Sequence, residues 1–167
     1  MSKQFLQPPE IVETHDPIIF LAGPIQGAPE WQYEAAEIIH SLDSGIIVAS
    51  PRKNYPTDTF VYEKQVDWET EYLRRAAGHG AILFWLAAQT IETPGRAYAQ
   101  TTRFELAEHK AKHEQDGRKI VVGIEEGFGN ARYISRRFEQ DCPEVPLLHD
   151  LAKTCFAAVE LVRLEKV

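Results

Sequence analysis

Three observations predict an α/β fold. Five short apolar runs recur along the 167 residues, helical patterns alternate with them, and the middle runs are solidly hydrophobic. Continuous apolar runs suit strands covered on both faces. Alternation of strand with helix implies parallel strands and right-handed crossovers. The first run, Pro17-Ile18-Ile19-Phe20-Leu21-Ala22, stops in Gly23-Pro24-Ile25-Gln26-Gly27. Glycine at 23 and 27 lets the backbone approach a ligand, and Pro24 stiffens the turn. The G-x-G-x-x-G spacing of a dinucleotide site is absent. Trp31, Ala35, Ile38, Ile39 and Leu42 follow at helical spacing, with Pro29 near the first turn. Next come a strand at 46–49, a helix over 61–77 and a strand at 81–86. A helix over 102–115, a strand at 120–124, a short helix over 131–139, a weaker strand at 145–148 and a helix over 150–164 complete the pattern. The expected architecture is a flavodoxin-like three-layer sandwich with a five-stranded parallel sheet in the order 2-1-3-4-5. Its switch point lies between the strands at 17–22 and 81–86, so residues 22–31 and 87–105, with whatever the second helix points inward, should form the site.

Residues 1–16, with Pro8, Pro9 and several acids, read as an arm on the surface or on a neighbouring subunit, and 17–167 as one domain. A formal net charge of −7 argues against nucleic acid or an anionic membrane as partner, since both require clustered Lys and Arg. No run is long enough for a membrane span, and the N-terminus lacks the design of a signal peptide. Cys142 and Cys155 are too few for a disulfide framework or a zinc site, which fits a reducing cytoplasm. His109 and His113 are spaced i, i+4 but lack the Glu and third ligand of a zinc protease helix. No Walker-type Gly-Lys-Ser/Thr loop is present.

Two acids stand in unusual positions. Glu69 falls within an apolar stripe of Val66, Leu73, Ala76 and Ala77, where a carboxylate is costly unless paired or used. A rotated helix or a salt bridge to Arg52 or Arg103 is the commoner explanation of such a residue. Thr102 and Glu105 match the S/T-x-x-E capping box, a complete structural explanation for both. Functionally, Glu105 would open a helix at the crevice, where the helix N-terminus keeps a carboxylate ionised. One acid protonated by a dry setting and one kept anionic form the pair that glycoside chemistry uses. Trp31, Trp85 and Tyr98 are candidates to stack on a planar ring, although aromatics on such elements also serve as core.

At these residues the chain resembles the nucleoside 2-deoxyribosyltransferase family, in its branch of nucleoside 2-deoxyribosyltransferase-like proteins. The resemblance rests on Phe20-Leu21-Ala22-Gly23-Pro24-Ile25 with Trp31, on Ser50-Pro51-Arg52, and on Gln65-Val66-Asp67-Trp68-Glu69 before Leu73. It continues through Ile82-Leu83-Phe84-Trp85, Thr101-Thr102-Arg103-Phe104-Glu105-Leu106 and Val121-Val122-Gly123, spanning roughly residues 17–135 in order. The resemblance implies that Glu105, in a Glu-Leu dipeptide, is the nucleophile and that Glu69 is the acid and base, with Asp67 as fallback. It further implies sugar or base contacts from Gly23, Pro24, Gln26, Arg52, Asp67 and Thr102, stacking by Trp31 or Trp85, no metal or organic cofactor, and a homo-oligomer. The Pro-rich arm and the apolar face of the last helix (Phe156, Val159, Leu161, Val162, Leu164) are candidate interface elements. Two departures stand out: Ala99 replaces an Asp of better-studied members, and Gly23-Pro24-Ile25-Gln26 replaces a Tyr after the first strand.

The implied activity is transfer of a (2-deoxy)ribosyl group between nucleobases through a covalent glycosyl-Glu intermediate. Two other readings stay open on the sequence. One is an N-glycoside hydrolase of nucleosides or their 5'-monophosphates, in which water intercepts the same intermediate. The other is a non-catalytic nucleotide-binding module in which Glu105 only caps its helix.

Overall fold

Hydrophobic patterning here resolves into twelve elements in a computed structural model that describes residues 4–53 and 56–164. In chain order these are β1 (Phe5–Leu6), β2 (Ile18–Ala22), α1 (Trp31–Leu42), β3 (Ile47–Ala49), a short 3-10 turn (Thr57–Thr59) and α2 (Tyr62–Gly78). They continue as β4 (Gly80–Leu86), α3 (Gln100–Asp116), β5 (Ile120–Ile124), α4 (Ala131–Asp141), β6 (Leu147–Leu148) and α5 (Leu151–Arg163). All strand pairings are parallel, in the order β1-β3-β2-β4-β5-β6.

The sheet therefore has six strands, not the expected five. With β1 set aside, the remaining five run in the order anticipated. The extra strand comes from the segment read as an arm: Phe5 and Leu6 pair with Val48 and Ala49, covering what would otherwise be the bare edge of β3. Beyond it the chain runs along α2. Glu10 O accepts from Trp68 Nε1 at 2.9 Å, Val12 N donates to Tyr72 OH at 2.9 Å, and Arg75 Nη1 donates to Val12 O at 2.7 Å.

Alternate residues of the central strands feed two cores, as the two-residue period of a strand requires. Ile19, Leu21, Leu83, Trp85 and Val121 pack with Trp31, Ala35 and Ile39 of α1 and with Cys155, Ala158 and Val159 of α5. Ile18, Phe20, Ile82, Phe84 and Val122 pack with Trp68, Tyr72 and Leu73 of α2, Leu106 of α3 and Phe138 of α4. The result is a three-layer α/β arrangement with helices on both faces of a buried parallel sheet. Gly80 opens β4 where β2 comes too close for any side chain, since a Cβ there would lie 1.9 Å from Ile18 O. Of the proposed interface residues, Val159 and Val162 of α5 are buried in the core, whereas Phe156 and, just past the helix, Leu164 are exposed. Both cysteines are buried and free. Among the described residues, no helix is long and apolar enough to cross a membrane.

Candidate active site

The carboxyl edge of the sheet is shaped by two loops, 23–30 after β2 and 87–99 after β4. They are joined at one atom: Gly27 O accepts from Thr90 N at 2.8 Å, Ile91 N at 3.2 Å and Thr90 Oγ1 at 3.2 Å. Gly27 sits at φ 80°, and a Cβ on it would lie 2.6 Å from Ile91 O, so only glycine fits this closure. The second loop ends at Ala99, whose left-handed backbone (φ 58°, ψ 32°) turns the chain into α3. Tyr98 beside it donates from its hydroxyl to Ala87 O at 2.9 Å, and burial pushes its phenol up to about 12. It is a fixed strut of the loop.

Helix α3 starts at Gln100, two residues earlier than the sequence pattern suggested. Thr102 then lies inside the first turn, buried, and no side chain caps the helix. The capping box is thus not formed, and Glu105 is in the second turn, past the unpaired amides that would have favoured its charge. Its environment acts in the opposite direction. Burial, then the negative charge of Glu69, then that of Glu108 lift the Glu105 carboxyl from 4.5 to about 7. Glu69 is also raised by burial, opposed by a hydrogen bond from Gln65 and by the positive charge of Lys53. The two acids therefore lie within each other's electrostatic reach, on the sheet face shared by α2 and α3. The ionised setting anticipated for Glu105 is not found: both carboxyls are pushed up by burial.

The stripe expected on α2 is also rotated. Val66 is 39% exposed, and the inward row is Gln65, Trp68, Tyr72, Leu73 and Ala76. Glu69 borders this row, half-buried. Asp67 is exposed and, two residues along the helix, points away from Glu69.

The remaining candidates separate by sheet face. Trp31 and Trp85 are buried in the α1–α5 core, away from α2 and α3, and the indole of Trp31 donates to Pro24 O at 3.0 Å. Gly23 lies against both, since a Cβ there would meet Trp85 O at 2.3 Å and Trp31 Cζ2 at 2.6 Å. Arg52 bridges to α1, with Nη2 2.5 Å from Glu30 Oε1 and Nη1 3.4 Å from Gln32 Oε1. Arg103 donates to Gly129 O at 2.7 Å with its guanidinium 4.4 Å above the Phe128 ring. Among the described residues neither arginine pairs with Glu69, so the salt-bridge explanation of that acid is not realised. Gln26 is exposed on the β2–α1 loop.

The structure adds two residues that the sequence reading had not assigned, Gln65 and Lys53. Gln65 Nε2 donates to Glu69 Oε1 at 2.7 Å and to Pro51 O at 2.9 Å. The i, i+4 spacing of Gln65 and Glu69 on one helix was the signal that could have found the first.

An apolar groove of about 520 Å3 lies beside Leu42, Leu148 and Phe156, and a more polar one of about 410 Å3 is bounded by Trp31, Trp85, Glu125 and His149. Neither is lined by Glu69 or Glu105. The desolvated pair of acids marks the candidate site better than groove size does, because burying a carboxylate without use is unfavourable. Among the described residues no group of three or more His, Cys, Asp or Glu is arranged to hold a metal ion. No protein-family model matches the chain, and no curated protein matches it significantly.

Proposed function

We propose that this chain transfers a (2-deoxy)ribosyl group between nucleobases, with Glu105 as nucleophile and Glu69 as acid and base, in a flavodoxin-like fold carrying one extra edge strand. The observation that carries the reading is the pair itself. Two carboxyls from different helices are partly desolvated, and the charge of one raises the proton affinity of the other. Such a pair suits the division of roles the reaction needs, one member attacking as an anion and the other carrying the proton.

In the first half-reaction the Glu105 carboxylate attacks C1' and the N-glycosidic bond breaks. Its electron pair goes to the base nitrogen, which takes the proton of Glu69. In the second, the incoming base attacks C1' and gives its N–H proton to Glu69. The ester bond breaks and Glu105 is restored as a carboxylate. Carboxylates alone supply both the covalent and the proton-transfer steps. The two buried free thiols fit the reducing cytoplasm expected for such an enzyme.

The test is incubation with a 2'-deoxynucleoside, with and without a second base. Transfer predicts a new nucleoside only when the second base is present, whereas free sugar without it indicates hydrolysis. Glu105→Ala should abolish base release while the protein stays folded, and Glu69→Gln should slow it by about 10²–10⁴-fold. Base release by folded Glu105→Ala at the wild-type rate would refute the covalent mechanism. No base release by the wild type from any nucleoside or 5'-monophosphate would favour the binding-module reading.

A further inference from the structure

We propose that Gln65 is a positioning residue that decides which acid holds the proton shared by the pair: it fixes Glu69 as a hydrogen-bond acceptor and leaves the proton on Glu105 in the ligand-free protein. The inference rests on the pair described above. Its chemical consequence rests on the glycosyl-transfer reading.

The geometry leaves Gln65 one orientation. Its side chain is 6% exposed, and Nε2 sits 2.9 Å from Pro51 O and 2.7 Å from Glu69 Oε1. A backbone carbonyl only accepts hydrogen bonds, so the amide must present its NH2 group to Pro51. A flipped amide would set its own oxygen against that carbonyl. The two N–H bonds are therefore divided, one to Pro51 and one to Glu69. An N–H donor binds an ionised carboxylate more strongly than a neutral carboxyl, which favours the anion at Glu69.

The other charges around the pair act in the same sense. Lys53, from the β3–α2 segment, favours a negative Glu69. Glu105 meets only like charge, from Glu69 on α2 and Glu108 on its own helix. Among the described residues no side chain or backbone N–H donates to the Glu105 carboxyl. The hydrogen bond from Gln65 thus favours the anion at Glu69, and Glu105 is the member of the pair left to hold a proton without a donor opposing it.

In the reaction this arrangement serves the second half. Once Glu105 is esterified its charge is gone, and Glu69, held by Gln65, is an anion ready for the N–H proton of the incoming base. The base nitrogen bonds C1', the C1'–O bond breaks, and its electron pair returns to Glu105. In the first half the proton must cross from Glu105 to Glu69 before the leaving base can take it. Gln65 therefore favours breakdown of the glycosyl ester over its formation.

The decisive experiment follows the side-chain carboxyl carbons of Glu69 and Glu105 by NMR across pH in 13C-labelled protein, for wild type and Gln65→Met. In the wild type Glu69 should ionise at lower pH than Glu105. In Gln65→Met the Glu69 transition should move up by about one pH unit, a tenfold gain in proton affinity. A Glu69 transition unmoved in folded Gln65→Met overturns the proposal. So does a wild type in which Glu105 ionises first, and that comparison needs no variant. Base release read in parallel separates the two claims. Gln65→Met should release base in a burst matching the enzyme concentration, followed by slower turnover. The predicted ionisation order, with its shift in the variant but without any base release by the wild type, supports the proton assignment and overturns the transferase reading.

Discussion

Replacing Glu105 by Gln should make the protein more stable at alkaline pH and leave it nearly unchanged in acid. Burial and the charge of Glu69 lift this carboxyl from 4.5 to about 7, so the folded state binds its proton more tightly than the unfolded chain does. The sign follows directly. Below about pH 4.5 both states are protonated and the full stabilising contribution is present. As pH rises through 7 the folded state must ionise a desolvated acid, and that contribution is lost. At about 1.4 kcal/mol per pH unit, the ionised carboxylate costs the fold about 3 kcal/mol above pH 8. A Gln side chain of similar shape carries no charge at any pH. Urea unfolding of wild type and Glu105→Gln at pH 4.5, 6, 7 and 8 measures the effect. The difference should be near zero at pH 4.5 and grow to about 3 kcal/mol in favour of the variant at pH 8. Equal stability of the two proteins at pH 8, or a difference that shrinks as pH rises, would refute the claim that Glu105 is desolvated beside a second acid.

Two further substitutions probe the frame around the site. Gly23→Ala places a methyl 2.3 Å from Trp85 O and 2.6 Å from the Trp31 ring, so thermal unfolding should report a loss of about 1–3 kcal/mol, and an unchanged melting temperature would contradict the close approach. Tyr72→Phe removes the hydroxyl that accepts from Val12 N at 2.9 Å; it should cost about 1 kcal/mol and speed proteolytic cleavage near residues 10–13, whereas unaltered cleavage would show that this contact does not hold the segment.

How much could be read from sequence varies with how many residues carry each signal. The runs at 17–22, 81–86 and 120–124 were legible because strands buried on both faces have no polar alternation to hide them. Phe5–Leu6 was not, since two residues carry no period and β1 exists only because the bare edge of β3 accepts it. The inward face of α2 is shifted by one residue from the apolar pattern. Val66 looked like core, but its place is taken by Gln65, whose amide is satisfied by Pro51 and Glu69 and so tolerates burial. The Thr102–Glu105 spacing matched a cap that does not form, because the left-handed turn at Ala99 starts the helix two residues early. Each acid could be singled out from its own neighbours. Their mutual influence depends on α2 and α3 lying against one sheet face, and the Gly23–Trp85 contact likewise required the assembled layers.

The segment from Phe5 to Val12 has a consequence beyond its small size. It is stitched to β3 on one side and to the buried Trp68–Tyr72 pair on the other, and that pair sits on the same helix as Glu69. Trimming the first dozen residues would bare a sheet margin open to pairing with another chain, and would strand a buried indole N–H without its acceptor. Disturbance of residues 5–12 is therefore carried to the acid-bearing helix, and turnover is best measured with this span intact.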